Sequence, residues 1–187
     1  MLLSDREIRR RLEDCADVFN IEPFDEADLQ PASYDLHLGE QLLRNMGVAG
    51  TSFIHPDDID LIRWAKVDLT DDQVFRLTAK DSIMAHSSIK LTLPDDICAA
   101  VVGVSTMGRI GLVVCPGLPF LDPGFSGNVA LEISVNGRFP IYLYEDLRVA
   151  QLVFHKMDAS VEQSYGERGR YQDQTSDVAP KTLGRKS

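Results

Sequence analysis

The chain has 187 residues, 44% of them hydrophobic, with 19 Lys and Arg against 29 Asp and Glu for a formal net charge of −10. That length buries a real core within one compact domain, and an acidic surface of this kind repels a long nucleic-acid polymer. A small anionic ligand stays open, because a few local arginines overrule the global field.

No apolar run reaches the roughly 18 residues of a membrane span. Met1-Leu2-Leu3-Ser4-Asp5-Arg6 turns charged too early for a secretory signal. Cys15, Cys98 and Cys115 form no close pair. They point to a reducing, cytoplasmic setting with buried thiols rather than to a disulfide frame or a metal site.

Ser4-Asp5-Arg6-Glu7 reads as a capping box, with Ile8, Leu12 and Cys15 following at helical spacing. The spacing predicts one N-terminal helix ending near Asp17. Short stretches rich in branched residues follow at 74–77, 83–85, 89–93, 97–104, 110–114, 128–135, 141–144 and 149–155, with Asp, Pro and Gly between them. Many short strands with turn signals predict a mainly β barrel or double-sheet fold. Over 46–72 two readings remain: a short helix from His55-Pro56-Asp57-Asp58 through Trp64, or a loop. Residues 1–160 form the expected domain. Residues 161–187 lose apolar character and read as a flexible tail, or as a lid whose Arg168, Arg170 and Gln174 close on an anion.

Four segments carry candidate chemistry. In Asn128-Val129-Ala130-Leu131-Glu132-Ile133-Ser134-Val135, side chains alternate across a strand. Val129, Leu131, Ile133 and Val135 form a core face. Glu132 shares the other face with Asn128, Ala130 and Ser134. An isolated strand glutamate ordinarily points to solvent. These small, uncharged face-mates suggest instead a cavity or subunit interface, where a carboxylate becomes a general base.

In Val104-Ser105-Thr106-Met107-Gly108-Arg109, a helical turn would put Ser105 and Arg109 on one face beside free backbone amides, suited to a phosphate or a water. A capped turn on a barrel rim is the plain alternative. Asp122-Pro123-Gly124-Phe125 is a turn signature with an aromatic face for a sugar or base, or an ordinary hairpin turn. Within Gln30-Pro31-Ala32-Ser33-Tyr34-Asp35-Leu36-His37, His37 shows no carboxylate orienter and reads as structural or interfacial.

Together these segments resemble the dCTP deaminase family, a branch of the dUTPase-like fold. The resemblance runs from Leu3-Ser4-Asp5-Arg6-Glu7-Ile8 through Gln30-Pro31-Ala32-Ser33-Tyr34-Asp35 and Leu93-Pro94-Asp95-Asp96. It continues through Ser105-Thr106-Met107-Gly108-Arg109-Ile110-Gly111-Leu112, Leu121-Asp122-Pro123-Gly124-Phe125-Ser126-Gly127 and Leu131-Glu132. Tyr165-Gly166 and Arg170-Tyr171-Gln172-Asp173-Gln174 complete it.

The resemblance implies a distorted jelly-roll (β-clip) barrel assembled as a homotrimer with sites between subunits. It implies deamination of dCTP to dUTP and ammonia, with onward hydrolysis to dUMP an open extension. Glu132 takes the place of the general base. Ser105 and Arg109 position the water and that glutamate. Thr106, Asp122, Phe125, Tyr165, Arg170 and Gln174 take substrate-binding places, with magnesium carried by the triphosphate and no metal held by protein side chains. The resemblance departs at Val104, where the family usually has a basic residue on phosphate; a lost charge-assisted contact costs about 1.5–3 kcal/mol. It departs again around Cys115-Pro116-Gly117-Leu118-Pro119.

Zinc deaminases pair His-x-Glu with Pro-Cys-x-x-Cys. None of His37, His55, His86 or His155 has Glu two residues on, and no Cys-x-x-Cys occurs. A zinc-activated water is therefore not expected. The competing readings are a dUTP pyrophosphatase using Asp122 and magnesium, and a non-catalytic trimeric nucleotide sensor.

Overall fold

A computed structural model describes the chain apart from Thr51, Phe53, Asp71, Asp72, Lys80 and residues 117–119 and 182–187. Helix α1 (Asp5–Asp14) opens it. Strands β1 (Asn20–Glu22), β2 (Leu29–Gln30), β3 (Ser33–Val48), β4 (Ile62–Asp68), β5 (Phe75–Leu77), β6 (Ser82–Thr92) and β7 (Ile97–Gly103) follow. Helix α2 (Ser105–Arg109) then precedes β8 (Leu112–Val114), β9 (Phe120–Leu121), β10 (Ser126–Val135), β11 (Ile141–Leu143), β12 (Arg148–Lys156) and helix α3 (Tyr165–Arg168).

The expected start of α1 is present: the Ser4 side chain accepts from the Glu7 amide at 3.4 Å. The helix ends three residues earlier than its spacing suggests, because the Cys15 amide closes the last turn on the Arg11 carbonyl and the chain then leaves the helix. Arg11, only 9% exposed, is held on the barrel by Asp96 at 3.1 Å and by Glu7 at 3.0 Å.

The mainly β expectation is met. The main sheet runs β8-β10-β6-β3-β12-β7-β9, with β1 on β6 and β2 and β4 on β3; β5 and β11 pair separately. Strand β3 belongs to both halves of this sheet. Its first residues pair with β12, Tyr34 opposite Leu152 and His37 opposite Arg148. Its later residues pair with β6, Leu42 opposite Ala85 and Arg44 opposite Ile83. The stretch 46–72 holds the end of β3, a 3-10 turn at Pro56–Leu61 and β4, so Trp64 lies in a strand rather than in a helix.

The core fills the concave side. Tyr34, Leu36, Leu38, Leu77, Val129, Leu131, Leu152 and Phe154 are fully buried there. Each such leucine contributes about 1.5–3 kcal/mol by leaving water. The alternation expected in β10 holds: Val129, Leu131, Ile133 and Val135 are buried, and Asn128, Ala130, Glu132 and Ser134 turn to the opposite face.

Gln30-Pro31-Ala32-Ser33-Tyr34-Asp35 proves to be a brace. The buried Asp35 carboxylate accepts from Arg148 Nη1 at 2.6 Å and from Gln30 Nε2 at 3.0 Å, and the Tyr34 hydroxyl accepts from the Asp25 amide at 2.9 Å. His37 does have carboxylate partners: its Nε2 meets Asp28 at 2.9 Å and its Nδ1 meets Asp146 at 3.1 Å. Both partners lie far enough along the chain to be hidden from a local reading.

Candidate active site

Strand β10 carries Glu132 across from Met84 on β6. On this face a cavity of about 250 Å³ opens, walled by Met84, Phe120, Asp122, Phe125, Ala130 and Glu132. Tyr165, Tyr171, Gln174, Val178 and Pro180 close it from the tail. Five of the residues singled out from sequence, Glu132, Asp122, Phe125, Tyr165 and Gln174, therefore meet around one space.

Turn residues hold the floor. Gly124 has φ +86, and a Cβ there would stand 1.9 Å from Ser164 Oγ. Only glycine lets the tail approach so closely. Phe125, 2% exposed, packs its ring 5.9 Å from that of Tyr165, so one edge of the cavity is aromatic. Tyr165 is anchored in turn: its amide donates to the Pro123 carbonyl at 2.9 Å, and its hydroxyl accepts from the Tyr171 amide at 3.2 Å.

The tail is seated as a strap. The Asp173 amide donates to Ser126 O at 2.8 Å and the Asn128 amide to Gln174 O at 2.9 Å. The Gln174 side chain donates to Asn128 O at 2.7 Å, and Gln172 accepts from the Ser126 amide at 3.1 Å. Val178 is 2% exposed, an apolar plug at the end of the strap.

A second cavity of about 500 Å³ shares Asp122, Tyr165 and Tyr171 with the first and adds Arg168 and Arg170. Two guanidinium groups at a mouth that adjoins an aromatic-edged cavity suit a phosphate chain next to a base and sugar. Asp122 stands on the wall common to both.

Ser105, Thr106 and Arg109 do not line either cavity. They sit exposed on α2, whose single turn does put Ser105 and Arg109 on one side. Their side chains have no hydrogen bond or ion pair to the described residues. Val104 takes an apolar place, bordering a shallow pocket with Met107, Leu112, Val114 and Val149. Glu132 itself is exposed at the cavity wall of the single chain and likewise has no side-chain partner among the described residues.

Cys115 lies behind it. Its amide donates to Glu132 O at 2.7 Å, and burial, with the Glu132 charge adding to it, pushes the thiol up to about 12. The departure at Gly117-Leu118-Pro119 lies outside the described residues. Among the described residues, no three His, Cys, Asp or Glu side chains gather as metal donors.

Met84, Phe120, Tyr171, Val178 and Pro180 are cavity residues to which the sequence reading gave no role, whereas Ala130 is one of the small face-mates of Glu132 that pointed to a cavity. Met84 comes to the cavity by standing opposite Glu132 in the β6–β10 register. Val178 and Pro180 belong to a stretch too polar to signal burial.

A family model described as dCTP deaminase-like matches residues 2–157. A dCTP deaminase, dUMP-forming, of Halobacterium salinarum is 38% identical over 98% of this chain and 96% of its own length. One of the same name from Leifsonia xyli subsp. xyli is 35% identical over 98% of this chain and 91% of its own. The crystal structure of 2'-deoxycytidine 5'-triphosphate deaminase from Agrobacterium tumefaciens superposes with a TM-score of 0.64 at 25% identity. It covers 90% of this chain, which spans 53% of that one.

Proposed function

The chain belongs to the dCTP deaminase-like family, and we propose that it hydrolyses dCTP to dUTP and ammonia without zinc, and dUTP onward to dUMP. The observation that carries this reading is the meeting of Glu132, Asp122, Phe125, Tyr165 and Gln174 around one cavity whose neighbour is lined by Arg168 and Arg170. The onward step is supported by the relatives named dUMP-forming and by the place of Asp122 between the two cavities.

The cytosine sits beside Glu132, the sugar against Phe125, and the phosphates toward Arg168 and Arg170. The Glu132 carboxylate takes a proton from water as the oxygen attacks ring C4, and passes it to ring N3. Glu132 then takes the proton of the new C4 hydroxyl and delivers it to the exocyclic amine, the C4–N bond breaks, ammonia leaves, and the C4 carbonyl forms. Met84 and Ala130 flank Glu132 with apolar surface, which weakens competition from bulk water.

Ser105 and Arg109 complete this site from a second copy of the chain. Their exposure on α2 without side-chain partners supports a homotrimer with sites between subunits. The described residues offer no convergent donor set for a protein-held cation. Magnesium would travel with the phosphates, as the family resemblance implies, and neutralise their charge there.

The test is one incubation of dCTP with magnesium, products resolved by chromatography. Glu132→Gln is expected to abolish ammonia release while nucleotide binding survives. Asp122→Asn is expected to let dUTP accumulate in place of dUMP. Undiminished turnover by Glu132→Gln overturns the assignment of the base.

A further inference from the structure

In a chain with 29 acidic residues an arginine readily finds a carboxylate. Arg10 meets Asp14 at 2.9 Å, Arg44 meets Asp81 at 2.7 Å and Arg148 meets Asp35 at 2.6 Å. Arg168 and Arg170, at the mouth beside the substrate cavity, break this pattern. Neither side chain has an ion pair or hydrogen bond to the described residues, although Asp122 stands on the same wall.

A third cation is held beside them. Lys181 follows Pro180 and folds back on the start of the strap. Its Nζ donates to the Arg170 carbonyl at 2.7 Å and stands 5.4 Å from the centroid of the Tyr171 ring. Its amide donates to the Tyr171 hydroxyl at 3.1 Å. An exposed lysine ordinarily ranges through water, because fixing its long stem costs rotamer freedom. Here both ends of the residue are tied to Arg170 and Tyr171, which line the mouth. An ammonium has three N–H donors. One is spent on the Arg170 carbonyl, and no carboxylate meets the other two among the described residues.

Like charges gathered without a counter-charge repel one another, and the arrangement becomes favourable when an anion arrives. Val178, 2% exposed, anchors the segment that delivers the lysine. We propose that Lys181 is a further substrate-binding residue, the third cation of the mouth, and that it contacts the phosphate chain of a nucleoside triphosphate. The proposal rests on the assignment of this mouth to phosphates. The free N–H groups of Nζ supply charge-assisted hydrogen bonds to phosphate oxygens. Because Nζ also leans on Arg170 and Tyr171, a bound triphosphate fixes the end of the strap as well.

Inorganic triphosphate, titrated into the full chain by calorimetry at 0.15 M salt, reads the mouth without base, sugar or turnover. Saturable binding is expected. Lys181→Gln keeps a donor for the Arg170 carbonyl but removes the charge, and should weaken binding about fivefold or more. Lys181→Arg should stay within about twofold of the unaltered chain. Lys66→Gln removes the same charge from the exposed side of β4 and should change binding less than twofold. Undiminished binding by Lys181→Gln would reduce the lysine to a latch on Arg170 and overturns the proposal. Equal weakening by Lys66→Gln or by Lys181→Arg overturns it too, as does absence of triphosphate binding by the unaltered chain. Ammonia release from dCTP, followed separately, reads the reaction itself. Triphosphate binding that depends on the Lys181 charge in a chain that releases no ammonia would keep the phosphate contact and discard the deamination.

Discussion

Replacing Gly124 by alanine should peel the strap from the barrel. Two costs can be separated. The first is the backbone: at φ +86 a residue with a Cβ loses about 1–2 kcal/mol. For a chain of this size that is roughly 2–8 °C in Tm. The second is contact. The new Cβ would lie 1.9 Å from Ser164 Oγ and 3.0 Å from the Tyr165 amide nitrogen. Ser164 caps α3 by accepting from the Gly166 amide at 3.4 Å, so driving it away also loosens the turn that carries Tyr165.

The contact cost, unlike the backbone cost, depends on the serine. Adding Ser164→Ala to Gly124→Ala should therefore recover on the order of 1 kcal/mol relative to the sum of the single changes. Urea unfolding of the four proteins in the cycle measures this. The KM for dCTP should rise in Gly124→Ala and fall part of the way back in the double variant. Additivity within about 0.5 kcal/mol would refute the packing of Ser164 on Gly124 as the reason for the glycine.

Two further outcomes follow from named partners. Burial works against charge on His37, but the Asp146 carbonyl and the Asp28 carboxylate outweigh it and raise the ring above its ordinary 6.5. The stability it supplies is thus full below pH 6.5 and lost as pH rises through the higher folded value; the Tm gap between the chain and His37→Gln should shrink from pH 5 to pH 8. Cys115 and Cys98 are both raised by burial, whereas Cys15 is half-exposed. A maleimide at pH 8 should label Cys15 in the native protein and Cys115 only after unfolding, read by peptide mass; early labelling of Cys115 would contradict its burial.

Much of this molecule is visible in local pattern. Ser4 and Glu7 announce the α1 cap, and the period of two in β10 separates Glu132 from the core side chains beside it. Asp122-Pro123-Gly124 announces the tight turn. What stays hidden is set by partners distant in the chain. Nothing near His37 in sequence names Asp146, and nothing near Asp35 names Arg148. Nothing in the polar tail predicts that its main chain pairs with Ser126 and Asn128, because backbone hydrogen bonds leave no mark on composition. The pairing of Met84 with Glu132 is hidden for a related reason: β6 and β10 are far apart in the chain, and three residues of β6, 87–89, stand opposite Val129 alone, so even a correct pairing at Ser126 and Thr92 would give the wrong neighbour for Glu132.

Strand β3 has one more implication, for how the chain comes to be folded at all. One continuous strand is stitched to β12 by its first residues and to β6 by its later ones, while Leu2 pairs with His155. The half built on β12 cannot close before segments more than a hundred residues apart, such as Tyr34 and Leu152, have met. Contacts of that span slow the search and leave little for a partial structure to stand on. The barrel should therefore form late and all at once, and a newly made chain stays vulnerable to stray strand pairing until β12 reaches β3.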